Sequence, residues 1–207
     1  LSEQSTKSPS ISQYADDLIA LISLLSINQV IPVGLSIGGL IAQELYRKRP
    51  DMVEKLVLTN TATVIGSRDS WNQRIQAVER NGLASISDLI LSRWFGSGFA
   101  DKNPDRLAIA RAILLQTSNS GYMAACQALS NADLTAYAPN IEVPTLCIAG
   151  ADDQATPTDV VIAMANLIPK SEFYELSGVG HIPCLEAEQE FSQVILNFLG
   201  KSAGADS

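Results

Sequence analysis

Gly34-Leu35-Ser36-Ile37-Gly38 sets a serine between two glycines, directly after a β-branched run and directly before a helical pattern. A serine hydroxyl is a weak nucleophile until a base takes its proton and its oxygen is held in the open. Glycines two residues to either side let a strand and a helix meet in a tight turn that projects the hydroxyl outward. The simpler reading is that Ser36 caps the helix it precedes; its place between strand and helix favours the turn. His181 is the one histidine in the chain and follows the small-residue loop Ser177-Gly178-Val179-Gly180. A lone histidine is more often a surface or satisfied core residue, yet no other imidazole here could accept the Ser36 proton and return it to a leaving group. The imidazole needs a carboxylate to hold one tautomer, and Gly150-Ala151-Asp152-Asp153 offers two. Asp153 is preferred; Asp152 is its rival, since paired turn aspartates are commonly only solvated. Thr59-Asn60, past another strand, offers no carboxylate. The backbone N–H of Ile37 follows the serine and would face the oxyanion of a tetrahedral intermediate. Residues of these types would suit attack by an activated serine on a carbonyl carbon.

The elements that must position these residues alternate. Ser10 and Gln13 have capping-box spacing, and Ile11, Tyr14, Ala15, Leu18, Ile19, Ile22 and Leu25 then recur at helical intervals until Asn28. Val30 to Val33 reads as a strand, and a helix after Ser36 stops at Pro50 with Arg47, Lys48 and Arg49 in its last turn. Val53 to Thr59, Thr145 to Ala149 and Glu172 to Leu176 read as further strands. Pro157 opens one helix, and Phe191, Val194, Ile195 and Phe198 mark another. Between residues 67 and 139 strand-like runs disappear, and amphipathic helices are broken at Gly82, Gly96, Gly98, Pro104 and Gly121. The expected class is therefore α/β, a mostly parallel, doubly wound sheet with a helical lid inserted. Residues 1–66 would form the serine-bearing half of the core, 67–139 the lid, 140–200 the half with the acid and the histidine, and 201–207 a frayed tail; the first ten residues read as a loop. Ser36, Asp153 and His181 each lie just past a strand end, where chemistry sits in such sheets.

Composition narrows the partners. The 207 residues carry 22 acids against 14 bases, a net charge of −8 that argues against nucleic-acid binding. Cys126, Cys147 and Cys184 have neither metal-ligand nor framework spacing and read as buried reduced thiols. No apolar run is long enough to span a bilayer, so no membrane association is expected and the cytoplasm is the default location.

The serine, acid and histidine together resemble the α/β-hydrolase family, and longer phrases resemble the 3-oxoadipate enol-lactonases within it. These are Gly34-Leu35-Ser36-Ile37-Gly38-Gly39, Leu56-Val57-Leu58-Thr59-Asn60-Thr61-Ala62, Trp71-Asn72-Gln73-Arg74-Ile75, Arg93-Trp94-Phe95, Gly121-Tyr122-Met123-Ala124-Ala125-Cys126 and Ile148-Ala149-Gly150-Ala151-Asp152-Asp153-Gln154-Ala155-Thr156-Pro157. The resemblance implies Ser36 as nucleophile, Asp153 as acid and His181 as base. The reaction it implies is hydrolysis of a small lactone to 3-oxoadipate, a step of aromatic catabolism, through an acyl-enzyme with no cofactor or metal. A carboxylate on such a substrate makes Arg74 and Arg93 candidate clamps, with Trp71 and Trp94 packing on the ring. Otherwise these are surface arginines lying over helix faces.

Serine esterases, C–C bond hydrolases and cofactor-free haloperoxidases share the same core and stay open as alternatives; relatives with an aspartate nucleophile are disfavoured by the serine. By the resemblance, Leu1 matches a point after the fold's fourth strand, so the first strands and the loop giving a second oxyanion donor are expected to be missing. Such a segment alone would be poorly soluble and nearly inactive, or a non-catalytic binding module, since losing one oxyanion donor costs about two to three orders of magnitude.

Overall fold

Leu56-Val57-Leu58-Thr59 and Thr145-Leu146-Cys147-Ile148-Ala149-Gly150 have no polar face to offer water, and both become strands buried along their whole length. In the computed structural model, which describes residues 9–201, they lie at the centre of a four-stranded parallel sheet. The strands are β1 (Val33–Leu35), β2 (Leu56–Thr59), β3 (Thr145–Gly150) and β4 (Ser171–Leu176), paired in that order. Helix α1 (Ile11–Leu24) precedes β1, and α2 (Ile37–Lys48) joins β1 to β2. Between β2 and β3 stand five helices, α3 (Arg68–Asn81), α4 (Ser87–Trp94), α5 (Phe99–Lys102), α6 (Pro104–Gln116) and α7 (Asn119–Ser130). Helix α8 (Thr158–Leu167) joins β3 to β4, and α9 (Pro183–Glu186) and α10 (Glu188–Gly200) follow.

Strand alternation divides the core. Leu56, Leu58, Cys147 and Ala149 face one way, against Ile22 of α1, Leu45 of α2 and Met164 of α8. Val57, Leu146, Ile148 and Leu176 face the other way, against Phe198 of α10. Helices thus cover both faces of the sheet, as the alternating pattern predicts. The inserted helices have an apolar cluster of their own, built on Val78, Ile90, Leu91, Phe95, Phe99 and Leu114. Among the described residues β1 pairs only with β2, so its other edge is open, and Val33 is 51% exposed there.

Several expectations shift. The first regular strand is Val33–Leu35 rather than Val30 to Val33, because Pro32 has no N–H to continue the ladder; Val30 keeps an isolated bridge to Val53. Helix α1 ends at Leu24, not near Asn28: Ser26 turns left-handed at φ 55°, and Ile27 N–H donates to the Ile22 carbonyl at 3.1 Å, a closing loop usually signalled by glycine. Gly121 does not break a helix; it lies in the first turn of α7, its N–H donating to Ser118 Oγ at 3.1 Å. Cys126 and Cys147 are buried free thiols as expected, but Cys184 is exposed, because it sits on the outer side of the one-turn α9. Residues 1–8 and 202–207, where the leading loop and most of the tail were expected, lie outside the described residues.

The turn from β1 into α2 is a tight junction. A Cβ on Gly34 would stand 2.4 Å from the Gly38 carbonyl oxygen, and one on Gly39 would stand 2.4 Å from Thr61 Cγ2. A Cβ on Gly38 would meet nothing within 4 Å. The glycines this junction requires are therefore 34 and 39, only the first of which belongs to the symmetric Gly-x-Ser-x-Gly spacing. Gly34→Ala is expected to lower unfolding free energy by about 2–3 kcal/mol, as overpacking against backbone does. Gly38→Ala is expected to change it by less than about 1 kcal/mol; urea unfolding midpoints measure both.

Candidate active site

Ser36 sits at the β1–α2 junction with φ 55° and ψ −121°, a backbone conformation that costs a non-glycine residue about 1–3 kcal/mol. Neighbours hold it there: its N–H donates to the Thr59 carbonyl at 3.1 Å, and its own carbonyl accepts Thr61 Oγ1 at 2.7 Å. Its side chain makes no capping bond to α2, so the capping role does not account for it. Ile37 is the first residue of α2, where N–H groups have no intrahelical acceptor.

His181 lies in the loop after β4, 4% exposed, with Nδ1 2.7 Å from Asp153 Oδ2. Its N–H donates to the Trp94 carbonyl at 2.6 Å, and its ring stacks on the Trp94 indole at 6.2 Å between centroids. Asp153 is buried in the turn after β3. Its Oδ1 accepts the N–H groups of Ala155 (2.7 Å) and Thr156 (3.1 Å); its Oδ2 also accepts Thr156 Oγ1 (2.6 Å) and Asn60 Nδ2 (2.9 Å). Burial pushes this carboxyl up, but the hydrogen bond and charge of His181, with the bonds from Thr156 and Asn60, outweigh it and hold the group below the usual carboxylate range. Asp152 points elsewhere, its Oδ2 accepting the N–H and hydroxyl of Ser97 at 3.0 and 3.1 Å.

A cavity of about 210 Å³ joins these parts. Ser36, Ile37, Trp71, Arg74, Arg93, Trp94 and His181 all line it, so every sequence-predicted site residue reaches it except Asp153, which stands behind His181. A larger hollow of about 630 Å³ reaches the acid turn from its far side but touches neither Ser36 nor His181. Arg74 lies 5.0 Å over the Trp71 ring and donates to Tyr122 Oη at 3.4 Å; Arg93 Nη2 donates to the Gln154 carbonyl at 2.6 Å. Burial pushes the Tyr122 hydroxyl up to about 12 and the Cys126 thiol up to about 11, so both stay neutral beside Arg74. Arg47, Arg49, Arg106 and Arg111 each pair with a carboxylate, whereas among the described residues Arg74 and Arg93 have none in reach.

Two groups escaped the sequence reading. Asn60 offered no carboxylate, yet its fully buried amide holds Asp153 and, at 3.1 Å, the Gly180 carbonyl. Its signal was position: a bulky amide closing a strand at the same end of the sheet as Ser36. Glu186 accepts the N–H groups of Gly96 (2.8 Å) and Gly180 (3.0 Å), and nothing in its spacing marks it. The arrangement can hold an imidazole with Nδ1 engaged and Nε2 left to move a proton, in a cavity also lined by a serine in a strained turn and by the first residue of α2.

The chain belongs to the alpha/beta hydrolase fold family, whose sequence profile matches residues 2–188. It is similar to 3-oxoadipate enol-lactonase 2 of Acinetobacter baylyi, at 34% identity over 185 residues, 89% of this chain and 69% of that protein. The crystal structure of the enol-lactonase from Burkholderia xenovorans matches it with a TM-score of 0.93 and 32% identity, covering 96% of this chain and 76% of that one. A thermophilic esterase from Thermogutta terrifontis matches with a TM-score of 0.89 at 26% identity, covering 95% and 74%. No helix among the described residues is long and apolar enough to cross a membrane.

Ionised Asp153 is favoured by the fold, so it contributes stability that is present above the unfolded carboxylate value near 3.9 and is lost as pH falls through the lower folded value. Asp153→Asn is expected to be less stable near neutral pH and to show a flatter loss of unfolding free energy between about pH 5 and pH 1. Urea titrations followed by circular dichroism across that range measure it.

Proposed function

We propose that this chain is a serine hydrolase of small lactones that carry a carboxylate, with 3-oxoadipate enol-lactone as the leading substrate. The observation that carries the reading is the buried His181–Asp153 pair at 2.7 Å, whose imidazole lines the same cavity as Ser36 in its strained turn. The likeness to enol-lactonases supports the substrate class.

In this reading Ser36 Oγ attacks the lactone carbonyl carbon while His181 Nε2 takes its proton. Asp153 keeps Nδ1–H engaged and faces the imidazolium that forms. The carbonyl electrons move to oxygen, toward the Ile37 N–H. Collapse breaks the ring C–O bond, and His181 returns the proton to the departing enol oxygen. Because the substrate is a ring, that oxygen stays attached to the acyl group and tautomerises to a ketone. Water then attacks the Ser36 ester with His181 again taking a proton, and the free acid leaves with Ser36 restored. Arg74 and Arg93 supply the cation for the substrate's carboxylate, and Trp71 and Trp94 supply ring faces. Their partners are neutral, so a guanidinium is free to meet an incoming anion.

Ser36→Ala is expected to lower kcat by roughly four orders of magnitude or more in assays of enol-lactone opening. Equal turnover by wild type and variant would sink the nucleophile assignment, and a preference for unbranched aryl esters over the lactone would sink the substrate class. Arg74→Met is expected to raise KM for the carboxylate-bearing lactone about tenfold or more and to leave KM for a neutral aryl ester unchanged. An equal rise for both substrates would remove Arg74 from carboxylate recognition.

A further inference from the structure

The ring of His181 is aimed by the peptide that precedes it, and that peptide is gripped from three directions. Gly180 N–H donates to Glu186 Oε1 at 3.0 Å, the Gly180 carbonyl accepts Asn60 Nδ2 at 3.1 Å, and His181 N–H donates to the Trp94 carbonyl at 2.6 Å. The three partners come from α9, the loop after β2 and the end of α4. The fit leaves no room for a side chain at Gly180, where a Cβ would stand 2.5 Å from the Trp94 carbonyl oxygen and 2.6 Å from Gly96 N. The second oxygen of Glu186 accepts Gly96 N–H at 2.8 Å. One half-buried carboxylate therefore ties the loop bearing His181 to the segment that carries Trp94, a wall of the cavity.

We propose that Glu186 is a positioning residue for His181: its two oxygens clamp Gly180 and Gly96 together and so fix the imidazole against Asp153 and the Trp94 ring. The role requires a carboxylate. Each oxygen faces an N–H, so an amide of the same shape can satisfy one donor and must turn its NH₂ toward the other. The resulting displacement falls on the proton-transfer group, where a shift on the order of 1 Å costs about a hundredfold in rate.

This proposal rests on the hydrolase reading only for its kinetic consequence. Its structural part is read from the single histidine: the hydrogen-bonded Nδ1–H of His181 is expected to give one downfield imidazole resonance in proton NMR. Glu186→Gln is expected to move or broaden that resonance and to lower kcat by about 10- to 100-fold, with KM within about twofold. Glu188→Gln, two residues on and bound instead to Arg106, should leave resonance and kcat as they are. If Glu186→Gln does not fold, Glu186→Asp keeps the charge but is too short to reach both N–H groups, and the same shift and kcat loss are expected. A variant with a lower melting temperature but an unmoved resonance and unchanged kcat would overturn the proposal, since stability alone would then explain Glu186. A resonance that moves in a protein whose wild type opens no ester or lactone would uphold the clamp and overturn the hydrolase reading.

Discussion

A carboxylate taken out of water must be saturated with donors or give up its charge, and Asp153 is saturated: two N–H groups bind Oδ1, and three side chains bind Oδ2. Those donors arrive from the loops after β2, β3 and β4, so one buried charge draws three strand ends to a common point. Without it, the loop after β4 would have no electrostatic reason to bring its imidazole inward, and the buried Asn60 amide would lose a partner. The same bond that holds the ring fixes its tautomer, leaving Nε2 as the nitrogen that exchanges protons. Assignment of site and assignment of fold are thus consequences of the same constraint.

The inserted helices are bound to that constraint along one side. From Arg93 to Ser97, side chain or backbone contacts run in order to the Gln154 carbonyl, His181, Glu186 and Asp152. The apolar cluster of the insertion takes in Ile182 and Leu185 from the region after β4, extending the grip. On the other side, Trp71 Nε1 donates to the Ile65 carbonyl at 2.6 Å and Leu134 N–H donates to the Thr63 carbonyl at 3.0 Å. The residues that would recognise a substrate are consequently set in the same frame as the residues that would act on it, rather than on a wall that adjusts independently.

What could be read from residues alone was whatever is decided locally. All-apolar runs between turn residues become buried strands wherever they fall, which is why Leu56–Thr59 and Thr145–Gly150 were legible. A β-branched run, a glycine pair and a helical pattern specify the turn at Ser36 within a few residues. The end of α1 was illegible because Ser26 adopts a conformation normally announced by glycine, and β1 was misplaced because one proline decides which residues can donate. Asn60 was illegible for a deeper reason. Its bonds span 93 and 120 residues of sequence, so its amide acquires meaning only when the sheet is assembled. Glu186 looks like any surface glutamate until Gly96 and Gly180 are brought to its two oxygens. Asp153 and Asp152 are adjacent residues of one type; local bonds from Ala155 and Thr156 fold the turn around Asp153, and tertiary contact then gives it to His181 and Asp152 to Ser97.

Under the proposed function, charge would give the cavity a second kind of selectivity. A chain of net charge −8 repels an anion at long range, but that field is screened within about 8 Å at physiological ionic strength. Inside the cavity the balance reverses. Arg74 is set over an indole beside a neutral phenol and a neutral thiol, whose ionisation burial disfavours further, so neither cancels its guanidinium. A carboxylate entering there meets a cation already desolvated on one face, in surroundings where Coulomb attraction is several times stronger than in water. Affinity for an anionic ligand would, under the proposed function, be local and owe nothing to steering, and would show in how long a ligand stays and not in how fast it arrives. An arginine paired with a carboxylate, as at the surface with Arg106 and Glu188, would lack this effect, because the ligand would first have to displace a bound anion. The neutrality of Tyr122 and Cys126 would thus, under the proposed function, belong to recognition as much as the arginine does.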